Sequence, residues 1–181
     1  DSAQWDEKAV GYVVQQAKEG FFPDGGNLER VWGYGVMHLS GLADAYAIAQ
    51  RYGGLGEQEQ IVLAMIRDIC QWYAKTVMPS PQCFFPTYGD AGWEGHNCLA
   101  TVRATVKDVP GCDDPFFGVD RNKSYLLEPS GFAIMRNGDH PDASYVNINY
   151  GPFGGWHSHW DLLNLNFWSQ GEALLEEQCR F

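Results

Sequence analysis

The stretch GGWHSHWDLLNLNFW occupies residues 154–168 and carries His157 and His159, two of the five histidines of the chain. The apolar run that follows them predicts a β-strand. Because successive side chains of a strand point to opposite faces, His157, His159 and Asp161 would project from one face. Imidazole serves near neutral pH as a general base and as a zinc ligand, so this spacing predicts a site for catalysis or metal binding. An edge strand with polar residues facing solvent is the alternative, which the spacing alone leaves equally open.

Composition restricts the classes of function. The 181 residues are 45% hydrophobic, enough to bury a core. A net charge of −11 without a basic run argues against a nucleic-acid partner. No stretch approaches the roughly 20 apolar residues of a membrane span, and the first residues lack a signal-peptide pattern. We therefore expect a soluble chain without a membrane partner. The five cysteines are buried thiols, or form one or two disulfides with a remainder.

Hydrophobic periodicity predicts helices followed by strands. The helical segments are 6–20, 31 or 32 to about 52, 56–77 and a short one at 99–106. Strand-like runs separated by turn residues lie at 132–135, 145–150 and 162–168. This order predicts an α+β protein with two segregated modules, a helical segment over 1–120 and a β segment over 121–181.

A cupin-like metal-binding β domain is one alternative, because Gly151, His157 and His159 have the spacing that opens a cupin metal motif. Cupins place a Glu four or five residues after the second histidine. Leu163 and Asn164 stand there, which disfavours this interpretation.

Two segments resemble the heparinase II/III family of polysaccharide lyases. The sequence GGWHSHWDLLNLNFWSQGEALL over 154–175 is similar to the family pattern GxxHxHxDxLxFxLxxxGxxLL, and the preceding SGFAIMRNG is similar to the strand that opens the family's sandwich. In the helical part, DGGNLERVWGYG over 24–35 resembles the family pattern DGxxxExSxxYH. It matches at Asp24, Gly25, Glu29 and Tyr34, whereas Val31 and Gly35 replace the family's Ser and His.

The resemblance implies a partial (α/α) toroid followed by the first strands of an antiparallel β-sandwich. It also implies cleavage of a uronic-acid-containing polysaccharide by β-elimination, with Tyr34 as acid/base and His157 as partner base or charge neutraliser. His159 would hold a structural zinc ion together with Glu177, or with Glu176, where the family has an Asp. The residues that we predict to bind substrate are Glu29, Trp156 and Arg136.

The predicted partner is an anionic polysaccharide or oligosaccharide, of heparan type, alginate or another uronate polymer, in the periplasm or outside the cell. The family's third zinc ligand and its substrate-carboxylate ligand have no counterpart in this chain. The chain is therefore expected to be incomplete as a catalyst, and to pair with a complementary chain or to self-associate. The competing function is a binding module that holds an acidic glycan without cleaving it. Tyr34 favours the enzyme, because binding alone does not need a phenol at that position.

Overall fold

A computed structural model describes residues 2–91, 98–155, 157–160 and 162–177. Helices precede strands, which confirms the predicted α+β class. The helices are α1 (Ser2–Gly20), α2 (Trp32–Arg51), α3 (Glu59–Thr76, preceded by a 3-10 turn at Gly56–Gln58) and α4 (Leu99–Thr105). The strands are β1 (Tyr125–Leu127), β2 (Phe132–Arg136), β3 (Tyr145–Asn149), β4 (Asn164–Ser169) and β5 (Glu172–Leu175).

The helical half packs around α3, whose buried residues Val62, Ile66, Ile69 and Tyr73 recur every three or four positions and so form one face. No helix in the described ranges combines the length and apolarity that a membrane span requires. Cys70, Cys83, Cys98 and Cys112 are free thiols, whereas Cys179 lies outside the described residues.

The five strands form one antiparallel sheet in the order of the chain. Its inner face is buried, and it carries Phe132 and Ile134 of β2 together with Tyr145 of β3. Phe132 lies 5.8 Å from Trp32 and 5.5 Å from Trp72 between ring centroids. The inner face of the sheet therefore shares one aromatic core with the helices, and this packing fixes the position of the loops that carry the candidate site.

Several elements differ from the predictions in their bounds or were not predicted at all. Helix α1 begins at Ser2 rather than at Asp6. The strands β1 and β5 were not predicted, because β1 has only three residues and β5 lies mostly exposed without alternating burial. The strand β4 begins at Asn164 rather than at Leu162, because Leu163 adopts a left-handed backbone with φ of 65°.

The loop after α1 ties the helices to the sheet. Asp24 Oδ2 accepts hydrogen bonds from the amide of Ser130 at 3.0 Å and from its hydroxyl at 2.8 Å. Trp72 Nε1 donates to the same hydroxyl oxygen at 2.9 Å. Gly25 has φ of 88°, and a Cβ there would overlap the backbone carbonyl of Asp68, so only glycine fits. Asp24 and Gly25 of this motif thus have a structural role, since they hold the helices against the sheet.

Each half of the molecule extends one buried arginine side chain into the other half. Arg30, from the loop before α2, donates to the carbonyl oxygens of Gly131 and Pro152 and to the side chain of Asn149. Arg136, from β2, donates to the carbonyl oxygens of Lys75 and Val77 at the end of α3, at 2.6 and 3.1 Å. Each half therefore satisfies backbone acceptors of the other with a guanidinium that is almost fully buried.

Candidate functional site

Tyr34 and His157 meet face to face between the two halves. Tyr34 lies in the first turn of α2, and His157 lies in the loop that joins β3 to β4. Their ring centroids are 3.8 Å apart and their planes are 18° apart. The structure thus brings together the two residues that we predicted to be catalytic, although 123 positions separate them in the sequence, counted from their numbers 34 and 157.

Glu29 completes this cluster. Its Oε2 lies 2.9 Å from His157 Nδ1, and the side chains of His157 and Glu29 are 33% and 21% exposed. A carboxylate only accepts, so Nδ1 carries the proton in this contact. In the neutral imidazole the lone pair then resides on Nε2, for which the described residues provide no hydrogen-bond partner. The arrangement therefore orients a histidine whose other nitrogen can accept a proton.

The backbone before α2 presents Glu29 through a local turn. The Asn27 side-chain oxygen accepts from the Glu29 amide at 3.1 Å, and its Nδ2 donates to the Gly20 carbonyl at 3.2 Å. Asn27 is 2% exposed. Its contribution was missed in the sequence, where an asparagine in a Gly-rich segment indicates only a turn.

The prediction that the two histidines lie on a β-strand was wrong. Residues 157–160 lie in the irregular loop before β4, and the Ser158 amide donates to the Gly155 carbonyl at 3.0 Å in a turn. The loop packs closely against the segment before α2, because a Cβ at Gly154 would overlap the Leu28 carbonyl. The third member of the predicted face, Asp161, lies outside the described residues.

His159 belongs to a different cluster, between two carboxylates. Its Nδ1 lies 2.9 Å from Glu177 Oε1, and its Nε2 lies 3.1 Å from Asp90 Oδ1. Partial burial lowers the pKa of His159, but the hydrogen bonds and charges of Glu177 and Asp90 outweigh this effect and raise it above its ordinary value. His159 is therefore favoured as an imidazolium that joins the two acids.

Asp90 also connects this cluster to the first one. Its amide donates to the His157 carbonyl at 3.0 Å while its carboxylate contacts His159. The Gly89 amide donates to Glu177 Oε2 at 3.3 Å. The segment 89–90 thus holds both histidines of the loop. No sequence signal indicated Asp90, because its partner His159 lies 69 positions away.

These side chains do not fit the predicted zinc site as they are placed. The two carboxylates approach opposite edges of one imidazole, so a single ion bound to a His159 nitrogen could reach only one of them. Structural zinc usually has four ligands. No group of three or more His, Cys, Asp or Glu side chains within the described ranges is arranged to hold a metal. The zinc ion with His159 and Glu177 stays a prediction, and the proton transfer by Tyr34 and His157 does not depend on it.

Glu176 is the other candidate ligand for zinc. Burial raises the pKa of its carboxyl group.

Of the other predicted substrate ligands, Arg136 lies away from the Tyr34 cluster. Arg136 is buried and donates to two backbone carbonyls of the helical half and, at 3.3 Å, to that of Arg121. Its guanidinium also lies over the ring of Tyr145, 5.0 Å from the centroid. Trp156 lies outside the described residues. Of the three residues predicted to bind substrate, the structure therefore places Glu29 beside the candidate catalytic pair.

Comparison with known proteins gives a consistent result. No protein-family model matches the chain. In sequence, it is 24% identical to a heparin-sulfate lyase of Bacteroides stercoris, over 98% of this chain and 28% of that protein. In structure, it is similar to a heparinase III, with a TM-score of 0.84 and 20% identity over 98% of this chain and 28% of that one. It is also similar to a heparan sulfate lyase from Pedobacter heparinus, with a TM-score of 0.80 and 18% identity over 99% of this chain and 29% of that one.

The chain thus spans less than a third of the length of each of these relatives. Its similarity nevertheless covers both the helical and the β segments. This chain resembles the heparinase-like lyases, as its two motifs predicted, and it has the fold of the segment that it matches in them, part of a helical toroid followed by the first strands of a β-sandwich.

Proposed function

We propose that the protein cleaves a uronic-acid-containing glycosaminoglycan by β-elimination, with His157 and Tyr34 as the proton-transfer groups. The observation that carries the proposal is the contact of the Tyr34 and His157 rings at 3.8 Å, with Glu29 bound to Nδ1 of the histidine. The similarity to a heparin-sulfate lyase and to a heparan sulfate lyase supports a substrate of the heparan type.

The reaction requires a base for the proton at C5 of the uronate and an acid for the departing O4. In the proposed step, Nε2 of His157 takes the C5 proton, the electron pair of the C5–H bond forms the C4=C5 double bond, and the C4–O4 bond breaks. The phenol of Tyr34 donates its proton to O4. One product carries an unsaturated uronate at its new non-reducing end, and the other carries a free hydroxyl.

Glu29 prepares the base without touching the reacting atoms. By accepting from Nδ1, its carboxylate fixes the tautomer with the lone pair on Nε2 and stabilises the imidazolium that forms when His157 takes a proton. Stacking against Tyr34 limits rotation of the imidazole. We therefore assign Glu29 a positioning role rather than direct contact with substrate.

The proposal is tested with a panel of heparan sulfate, heparin, chondroitin sulfate and alginate, by following the ultraviolet absorbance of the unsaturated product. We expect absorbance to rise with the heparan-type polymers, and to be lost in Tyr34→Phe and His157→Ala. Tyr52→Phe is the matched control, because Tyr52 is an 81% exposed tyrosine at the other end of α2. Glycan binding without any unsaturated product would instead support the non-catalytic binding module.

A further inference from the structure

Two aromatic side chains form an open platform on the loop that carries His157. The rings of Phe153 and Trp160 are parallel, with centroids 4.2 Å apart and planes 2° apart. Trp160 is 87% exposed and Phe153 is 48% exposed. Phe153 therefore covers one face of the indole, while the opposite face remains open to solvent.

Contacts on both sides of the ring pair hold the loop in place. Next to Phe153, the Pro152 carbonyl accepts a hydrogen bond from the buried guanidinium of Arg30. Next to Trp160, His159 is held between Glu177 and Asp90. A ligand that stacks on Trp160 would meet a loop that is already ordered, which lowers the entropic cost of binding.

The platform borders the candidate site. A cavity of about 150 Å³ at its base has a lining that includes Phe153, Trp160, Ser158 and His159. Ser158 directly follows His157, whose ring stacks on Tyr34. The cavity thus reaches the residue next to His157, which places the platform in the same loop as one of the proposed proton-transfer groups.

We propose that Trp160, supported by Phe153, is a sugar-binding subsite that stacks on a pyranose ring of the polysaccharide beside the position of cleavage. This inference rests on the proposed function, and it names a residue that determines how the substrate is held. A chain with a net charge of −11 repels an anionic polymer at long range. An uncharged indole can bind the C–H face of a sugar ring by apolar contact without adding to this repulsion.

A protein partner is the competing occupant, since Leu162 and Leu163 beside the platform are 65% and 68% exposed. The sugar is favoured because Phe153 supports the indole of Trp160 from one side, and the resulting flat face lies beside a cavity that reaches Ser158, the neighbour of His157. A general apolar docking surface would not require this placement.

The test compares Trp160→Ala, Trp160→Phe and the control Tyr52→Ala, which removes an aromatic ring of similar exposure far from the loop. Binding of a size-defined heparan sulfate oligosaccharide is measured by calorimetry in a Tyr34→Phe background, where turnover does not interfere. Steady-state cleavage is measured separately with Tyr34 intact. We expect Trp160→Ala to raise Kd and KM about 10-fold, corresponding to about 1.4 kcal/mol, with a smaller change in kcat. Trp160→Phe should keep most of the affinity, and Tyr52→Ala should change neither quantity.

The outcomes separate this inference from the proposed function. Cleavage by the wild type with an unchanged KM in Trp160→Ala would overturn the subsite and leave the lyase proposal standing. Oligosaccharide binding that depends on Trp160, without any cleavage by the wild type, would support the subsite and refute the lyase proposal. A Trp160→Ala variant that loses only self-association, measured by light scattering, would overturn the subsite in favour of a protein contact.

Discussion

The carboxylate of Asp24 holds both the amide and the hydroxyl of Ser130 through a single oxygen, at 3.0 and 2.8 Å. This contact joins the loop after α1 to the turn before β2, across 106 positions of sequence. The same loop continues to Glu29 and leads into α2, which carries Tyr34. The motif over 24–35 therefore has two roles: Asp24 and Gly25 stabilise the contact between the helices and the sheet, and Glu29 and Tyr34 belong to the candidate site.

Replacing Asp24 by Ala should destabilise the fold, because it leaves the amide and hydroxyl of Ser130 without their acceptor. Hydrogen bonds to a charged group contribute about 1.5–3 kcal/mol each, and the partial exposure of this pair places the total at about 2–3 kcal/mol. Urea unfolding followed by circular dichroism measures the change. Asp44→Ala on α2 is the control. A loss of less than about 0.5 kcal/mol would show that the contact does not hold the two halves together.

Removing the Tyr34 hydroxyl should abolish turnover while the fold remains intact. A single proton-transfer group contributes about 10²- to 10⁴-fold in rate. Tyr34→Phe keeps the ring that stacks on His157, so kcat should fall by that factor while KM and the melting temperature change little. Product absorbance and thermal unfolding provide both readouts. Retention of most of the wild-type kcat would remove Tyr34 from the mechanism.

Glu29→Gln should lower kcat about 10- to 100-fold, by analogy with the loss that follows removal of a group orienting a metal-bound histidine. The amide still fits the space beside Nδ1, but it carries no charge to stabilise the imidazolium. We expect KM to change less than kcat and the melting temperature to stay near that of the wild type. Glu19→Gln, an exposed change at the end of α1, is the matched control. An equal loss in both variants would argue against the positioning role.

The stability of the loop should depend on pH through His159. Its pKa is raised in the folded state by Glu177 and Asp90, so folding favours its protonated form. This contribution is complete below the ordinary imidazole pKa of about 6.5, and it is lost as the pH rises through the higher folded value. The melting temperature should therefore fall over that interval, and the fall should be smaller in His159→Gln than in the wild type. His140→Gln is the control.

Metal analysis separates this ion-paired arrangement from the predicted zinc site. In the arrangement described here, a chelator leaves the melting temperature unchanged and His159→Gln changes no metal content. Stoichiometric zinc that disappears in His159→Gln, together with a lower melting temperature after chelation, would instead support His159 and Glu177 as zinc ligands.

Exposed apolar side chains on the helices lead us to expect that the protein associates with a complementary chain or with a second copy of itself. Tyr12 of α1 and Met37 of α2 are 67% and 66% exposed, and both border the groove between these helices. Such patches promote contacts with a complementary chain or with a second copy. Multi-angle light scattering should show a species larger than a monomer, and a paired Tyr12→Ser and Met37→Ser variant should shift it to lower mass. A compact monomer at all concentrations would contradict this expectation.

The sequence predicted the elements that local patterns determine. The stripe Val62, Ile66, Ile69 and Tyr73 fixes α3 by its spacing alone, and the motif residues Tyr34 and His157 do meet in space. The structure of the histidine loop could not be predicted in this way, since the loop packs through Gly154 against Leu28, which is far away in the sequence.

The remaining features could not be predicted because they depend on contacts between residues far apart in the sequence. Asp90 contributes to the site only by its contact with His159, and no local sequence pattern connects the two residues. A charged residue at the end of a strand, such as Arg136, suggests an exposed ligand. Its burial depends on carbonyls that α3 presents about 60 positions earlier, as the separations of 61 and 59 to Lys75 and Val77 show.

The hydrogen bonds that Arg30 and Arg136 make between the two halves affect how the chain unfolds. If either half melted alone, the other would lose these hydrogen bonds and would expose the shared aromatic core of Trp32, Trp72 and Phe132 to water, at about 1.5–3 kcal/mol for each large apolar side chain. The helices and the sheet are therefore expected to unfold in a single cooperative transition, and a protease cut near residue 120 should release neither half as an independently stable fragment.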